Sequence, residues 1–395
     1  MTLCALITLS AQTTSIPNSE TDRPERSAVK HSMEEDYTEG LLSKVMARIE
    51  AKSRYIPTIN GAIQVGYLFE APPVTVEGEK QFSNSFTFNT ARLNIKGNPL
   101  DWLQYNLQVE FANKVRVLDF NVNFHPLAHL PVKSQYVNFW IGQGKVPITM
   151  ESQLGPAVFE AINYSPVISA LCGYKQDLTP ELTNMAGGRD MGVAVYGYAL
   201  NVDWGGKPHD FFEYKLGVYN GTGMNCLDKD IMKDVSGWVY LHPTPALTVG
   251  GSFYVGAYKG KLTVNGTDTM LTTRRDRWAA SFRYDDKAHW LARAEYVGGR
   301  THGQFSDGWY AMLQYTINPN RRTLNQWAVV AKYDAYRFNY KRLPDYCNHR
   351  ALAGINYRPV PWLYIQAIYI AQFNCDRHQL RGINHSAQLT ACLIY

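Results

Sequence analysis

An alternation of period two, repeated along most of the chain, is the feature that most constrains its fold. In 103–112, LQYNLQVEFA, Leu103, Tyr105, Leu107, Val109 and Phe111 fall on one side, opposite Gln104, Asn106, Gln108 and Glu110. Successive side chains of a strand point to opposite faces, so this is a strand with one apolar and one polar face. In 86–97, FTFNTARLNIKG, Ala91, Leu93 and Ile95 likewise oppose Arg92, Asn94 and Lys96. The last run, INHSAQLTACLIY, puts Ile383, His385, Ala387, Leu389, Ala391, Leu393 and Tyr395 on one side. Sixteen such segments lie between 59 and 395.

Many half-apolar strands can pair their apolar faces, as in a sandwich or propeller, or turn them outward to lipid. The links between segments favour the second. From the second segment onward, alternate links are short turns such as GNPLD, PTPA, DDKA and PVP. The others are longer, at 70–85, 145–187, 222–235, 258–275, 300–307, 338–347 and 374–383, with 113–115 the exception. Short turns at one end and long loops at the other are the asymmetry of an outer-membrane barrel. Composition agrees. Aromatics make up 13% of the chain, with 26 Tyr, and Gly numbers 30. Mean hydropathy is nevertheless −0.29. No apolar run is long enough for a membrane helix, whereas a barrel needs apolar residues only at alternate positions. The expected fold is all-β: a transmembrane antiparallel β-barrel of about 16 strands. Tyr67, Phe86, Trp102, Trp290, Trp309, Trp327 and Trp362 near segment ends suit its aromatic girdles, although any single ring also suits an ordinary sheet.

Ahead of the barrel, MTLCALITLSA (1–11) reads as the remnant of a signal peptide, though it lacks a basic start; a disordered tail is the alternative. Residues 12–57 read as a periplasmic disordered segment followed by a short helix. Over 34–52, Leu41, Leu42, Val45, Met46 and Ile49 share one helical face. Residues 58–395 make the barrel.

The stretches FNTARLNIKGNPLDWLQYNLQVEFA, VNFWIGQGKVPITMESQLGP, FEAINYSPVISAL and GGRDMGVAVYG resemble the phosphate-selective porin O and P family, in the manner of its Bacteroidetes members. The resemblance runs from about residue 58 to Tyr395. It implies a sixteen-stranded, usually homotrimeric porin in the outer membrane of a Gram-negative bacterium, embedded in its lipid. Small hydrophilic solutes and inorganic anions would pass passively, phosphate among them. No Ser/His/acid set stands out, so no enzymatic activity and no cofactor are expected, with a barrel enzyme as the rarer alternative. A C-terminal aromatic, here Tyr395, is similar to the family's barrel-insertion signal. Residues 145–187 then form a third extracellular loop folded inward to narrow the lumen. An insert this long without periodicity otherwise argues against an element assignment.

Alternation assigns the lumen-facing charges. Basic ones are Arg92, Lys96, Lys215, Arg277, Arg283, Arg293, Lys332, Arg350 and Arg358; acidic ones are Glu110, Asp119, Asp190, Glu213, Glu295 and Asp334. The excess of bases suits an anion-attracting ladder. Pairing across strands, as between Arg293 and Glu295 or Lys332 and Asp334, would instead leave a general polar lumen. The third loop carries Lys145 and Lys175 against Glu151, Glu160, Asp177 and Glu181, an acidic balance unlike a phosphate-selecting constriction. The expected function is a passive porin with a mild anion preference. The alternative is a non-conducting barrel with a structural, adhesion or receptor role.

Cys172, Cys226, Cys347 and Cys375 fall in predicted loops, where Cys172 with Cys226 and Cys347 with Cys375 would make disulfides; free thiols are the alternative. The ten histidines show no HExxH or Cys/His ligand spacing, so no metal site is expected, and neither GxSxG nor a P-loop occurs. A net charge of +5, without a basic block, does not mark a nucleic-acid binder.

Overall fold

In a computed structural model, the chain is described over residues 56–71, 82–112, 114–130, 135–156, 158–173, 188–228, 231–264, 267–301, 303–319, 325–339, 346–376 and 379–395. The predicted signal segment and the predicted helix at 34–52 lie outside these residues. Sixteen strands follow one another in sequence. The first eight are β1 (Thr58–Ala71), β2 (Ser83–Leu100), β3 (Leu103–Glu110), β4 (Arg116–Phe124), β5 (Asn138–Lys145), β6 (Arg189–Trp204), β7 (Lys207–Tyr219) and β8 (Asp234–Thr244). The second eight are β9 (Leu247–Val264), β10 (Thr267–Asp285), β11 (Trp290–Thr301), β12 (Gln304–Thr316), β13 (Gln326–Asn339), β14 (Tyr346–Val360), β15 (Leu363–Asp376) and β16 (Gln379–Ile394). Each pairs antiparallel with its neighbours, and β16 returns to β1 to close the ring. Closure leaves no open sheet edge, the condition a sheet must meet in hydrocarbon.

The register explains the alternation. Ile63 sits opposite Leu393 and Ala91, and Val65 opposite Ala391 and Phe88, so like residues line up around the outside. Ile63, Val65, Phe139, Val193, Phe253, Val329 and Leu389 all stay exposed there. An apolar band of that extent is a surface for lipid rather than water. Aromatic pairs mark both of its edges. Trp327 and Tyr357 stack at 4.0 Å and Trp290 meets Tyr315 at 4.7 Å near the short turns. Trp309 and Tyr333, 5.5 Å apart, lie toward the long-loop end.

Three links expected as long loops are mostly strand. β9 runs to Val264 and β10 begins at Thr267, and the β11–β12 and β15–β16 links are also short. The reason is physical: beyond the hydrocarbon a strand needs no apolar face, so KGKLTVNGTDTMLTT carries no alternation. Asn265–Gly266 was the readable signal, since this dipeptide favours hairpins. The wall is also uneven. β3, β4 and β5 have 8, 9 and 8 residues, against 18 and 19 in β9 and β10.

Candidate functional site: the lumen and its inward loop

The loop after β5 enters the barrel. Its sequence supplies both an apolar underside and a start signal for a short helix. Pro166 opens helix α1 (Pro166–Leu171), a position where its missing N–H costs nothing. The helix packs on β11, β12 and β13. Val167, Ile168, Leu171 and Cys172 are buried with Val297, Tyr310 and Tyr336 of the wall. Gly308 permits this approach: a Cβ there would stand 2.8 Å from Val167 Cβ and 2.3 Å from a backbone oxygen.

Polar groups fasten the loop more specifically. Ahead of α1, a single 3₁₀ turn at Glu151–Gln153 points two backbone donors at the wall. Glu295 on β11 accepts the N–H groups of Met150 (2.7 Å) and Glu151 (2.9 Å), together with the hydroxyls of Ser281 and Tyr310. Lys332 Nζ on β13 lies 2.5 Å from Glu151 Oε1 and 3.4 Å from Asp334. Asp334 also accepts from Ser165 Oγ (2.8 Å) and pairs with Arg350 at 2.7 Å. Arg350 in turn donates to the carbonyl of Tyr164. Arg293 pairs with Glu160 at 2.7 Å, and Arg277 donates to the carbonyl of Leu171 at the end of α1. Buried charges need such partners: Lys332, Arg293 and Arg350 meet carboxylates, while Glu295 takes four neutral donors and Arg277 donates to backbone carbonyls.

The register puts all nine predicted bases on the inward face, but they do not form an open ladder. Arg277, Arg293, Lys332 and Arg350 are only 2–8% exposed, because the loop covers them. Lys332 does meet Asp334 as expected, whereas Arg293 turns to Glu160 and away from Glu295. Of the others, Arg92 pairs with Glu110 and Arg283 with Asp285. Arg358 lies over the Tyr364 ring at 4.7 Å. Lys96 is exposed, and Lys215 stands among aromatic rings. Lys96, Arg283 and Arg358 all lie near the short-turn mouth. Among the predicted loop residues, Lys145 holds the carbonyls of Ser152 and Leu154, and Glu151 and Glu160 are buried against the wall. Lys175, Asp177 and Glu181 lie outside the described residues.

The cysteine expectation needs correction. Cys172 is a free thiol under α1 and Cys226 a free thiol at the surface, so this pair is not bridged. Apolar packing draws Cys172 into the lumen, away from the loop that carries Cys226. Cys347 and Cys375 are register partners on β14 and β15; the Cys375 side chain lies outside the described residues.

Arg275 was missed by sequence reasoning. It is 1% exposed, 2.9 Å from Asp234, and donates to the carbonyl of Gly221. It continues the inward parity of Arg277, and starting β10 too late hid it. Arg189 and Asp190 tie down the base of the loop, Arg189 through Asp119 at 2.8 Å and Asp190 through the N–H of Gly221 at 2.6 Å. Among the described residues no cluster of His, Cys, Asp and Glu is arranged to hold a metal.

Neither a protein-family model nor a curated relative matches the sequence. Solved structures do match its shape. OmpT of Vibrio cholerae aligns over 86% of this chain and 97% of its own, at 14% identity and a TM-score of 0.56. The anion-selective porin from Comamonas acidovorans covers 86% and 99%, at 13% identity and a TM-score of 0.56. Pseudomonas putida OprB covers 88% and 96%, at 9% identity and a TM-score of 0.58. The chain has the porin fold. Within that fold, the two walls of the lumen differ. β10 to β15 are occupied by the inward loop, while a space of about 630 Å³ is lined by Gln64, Thr87, Asn89 and Thr390 of the β16–β1–β2 wall, beside the point where Asn163 at the loop's edge donates to Gln388 at 2.8 Å.

Proposed function

We propose that the chain is an outer-membrane porin, passing small hydrophilic solutes by passive diffusion with a mild anion preference. The observation that carries this is the loop fixed inside the barrel by Glu151, Glu160 and the N–H groups given to Glu295, with polar space left beside its contact with the β16 wall. A loop held in place narrows a passage without filling it, and the width and charge of a narrowing set selectivity. The outward apolar band supports placement in the outer membrane.

The anion preference rests on Lys96 and Arg358 at the short-turn mouth, since four of the other bases are committed to the loop and Arg92 and Arg283 are paired with carboxylates. The anion selectivity named for the Comamonas structure favours the same reading. Membership of the phosphate-selective O and P family rests on the GKVP and GGRDMGV stretches. Trimeric assembly is supported by that resemblance and by the trimer form described for the Vibrio OmpT. The inward loop offers no free lysine cluster among its described residues, so we read phosphate as one permeant anion rather than a selected one.

Planar-bilayer recording of the refolded protein tests this. An open conductance with a reversal potential displaced toward chloride is expected. Folded, inserted protein that carries no current would overturn the proposal in favour of a structural or receptor barrel.

A further inference from the structure

On the wall facing away from the inward loop, Lys215 of β7 stands between Tyr196 of β6 and Trp238 of β8. Its Nζ lies 5.2 Å from the Trp140 ring, 5.7 Å from the Trp238 ring and 6.0 Å from the Tyr196 ring. Rings at these distances favour a cation but neutralise nothing. Among the described residues Lys215 makes no ion pair at contact distance and no hydrogen bond, although Glu213 and Asp119 lie near enough for their charge to act on it. Two residues earlier on the same face is Glu213. One of its oxygens meets His242 at 3.2 Å, and the other is without a partner among the described residues. Glu213 and Lys215 do not contact each other. Both line a cavity of about 270 Å³ open to the lumen, together with Asn123, Tyr196, Tyr198 and Trp238. The indole N–H of Trp238 is buried and unpartnered.

We propose that this cavity is a binding station for a zwitterionic amino acid with an apolar side chain. Its carboxylate accepts from Lys215 Nζ and the Trp238 indole, its ammonium donates to the free Glu213 oxygen, and its side chain lies against Tyr196 and Tyr198. Positions i and i+2 of a strand are about 7 Å apart. A molecule carrying both charges, with a hydrogen bond of about 2.8 Å at each end, bridges that gap. A simple anion would meet the carboxylate of Glu213, and an uncharged solute would leave the lysine unneutralised. Both fit the site less well.

The site deepens the porin reading and is tested apart from it. Tryptophan fluorescence of the refolded barrel, titrated with L-phenylalanine, reports binding without current. Saturable binding at millimolar concentration is expected, as for a transit site. Benzoate and phenethylamine, each with one charge, should bind at least about tenfold more weakly. Lys215→Met and the near-isosteric Glu213→Gln, each checked for barrel folding by circular dichroism, should weaken L-phenylalanine by at least about tenfold. Benzoate binding as tightly as L-phenylalanine, or no saturable change, would overturn the proposal. In a bilayer, the same L-phenylalanine concentrations should reduce the wild-type current. A conducting barrel whose current and fluorescence both ignore L-phenylalanine sinks the site and spares the porin. A silent barrel that still binds it does the reverse.

Discussion

Glu151 on the inward loop and Lys332 on β13 form an ion pair of 2.5 Å, with both side chains at most 1% exposed. The two are 181 positions apart in sequence. They join the inward loop to the barrel wall. Removing one partner of such a pair leaves a buried charge, at a cost of about 3–5 kcal/mol. The barrel ladder does not depend on this pair, so Glu151→Ala should still fold while its loop detaches. Single-channel recording should show a larger and noisier conductance. An unchanged trace would mean that the other attachments hold the loop without this pair.

Glu295→Gln is the second lever on the loop. Its carboxylate receives two backbone donors and two hydroxyls, and an amide would turn a donor toward them. A loss of about 1–3 kcal/mol in loop docking is expected. Limited proteolysis in detergent should cut the variant within 146–173 faster than the native chain, with the rest of the barrel resistant.

Selectivity should divide by location. Lys96→Gln and Arg358→Gln remove cations near one mouth and should lower the chloride-to-potassium permeability ratio, by about twofold together. The effect should fade in 1 M salt, where charges are screened beyond about 3 Å. Arg350→Gln lies under the loop and should change conductance and stability before it changes the sign of selectivity. Equal effects from all three substitutions would contradict this division.

The cysteines give a chemical check. Burial pushes the Cys172 thiol up to about 12, so it stays protonated and unreactive in the folded protein. Cys226 is exposed and should alkylate readily. Directly opposed residues of an antiparallel pair have Cα atoms about 4.5–5.5 Å apart, within the range a disulfide spans. Cys347 and Cys375 occupy such positions, and non-reducing mass mapping of exported protein should find them linked. Recovery of both as alkylated thiols would reject the link.

The barrel was legible because its rule is local: a residue faces lipid or lumen according to parity, and a turn shows its Gly, Pro, Asn or Asp. Hence the strand count and the inward face of Arg92, Lys215 and Lys332 could be read from sequence. The partners of those charges could not. Arg293 was matched to Glu295, its neighbour on the same face, but it meets Glu160, 133 positions away, because the loop's path is set by packing and not by spacing. Arg275 and the upper halves of β9 and β10 escaped for a related reason: outside hydrocarbon, strands lose the pattern that identifies them.

The clustering of the loop's attachments on β10 to β15 has a consequence for anyone redesigning the channel. On that side, the cations that would tune which ions pass are the same ones that keep the narrowing in place, so sieve size and ion preference cannot be varied one at a time. Across the lumen, from β16 round to β8, the loop is held at single points, by Gln388 to Asn163, by Ser236 to the carbonyl of Pro147 and by Lys145 to those of Ser152 and Leu154. Substitutions that spare these residues can retune chemistry with the least change of bore, and that half of the ring is where new solute preferences are easiest to introduce.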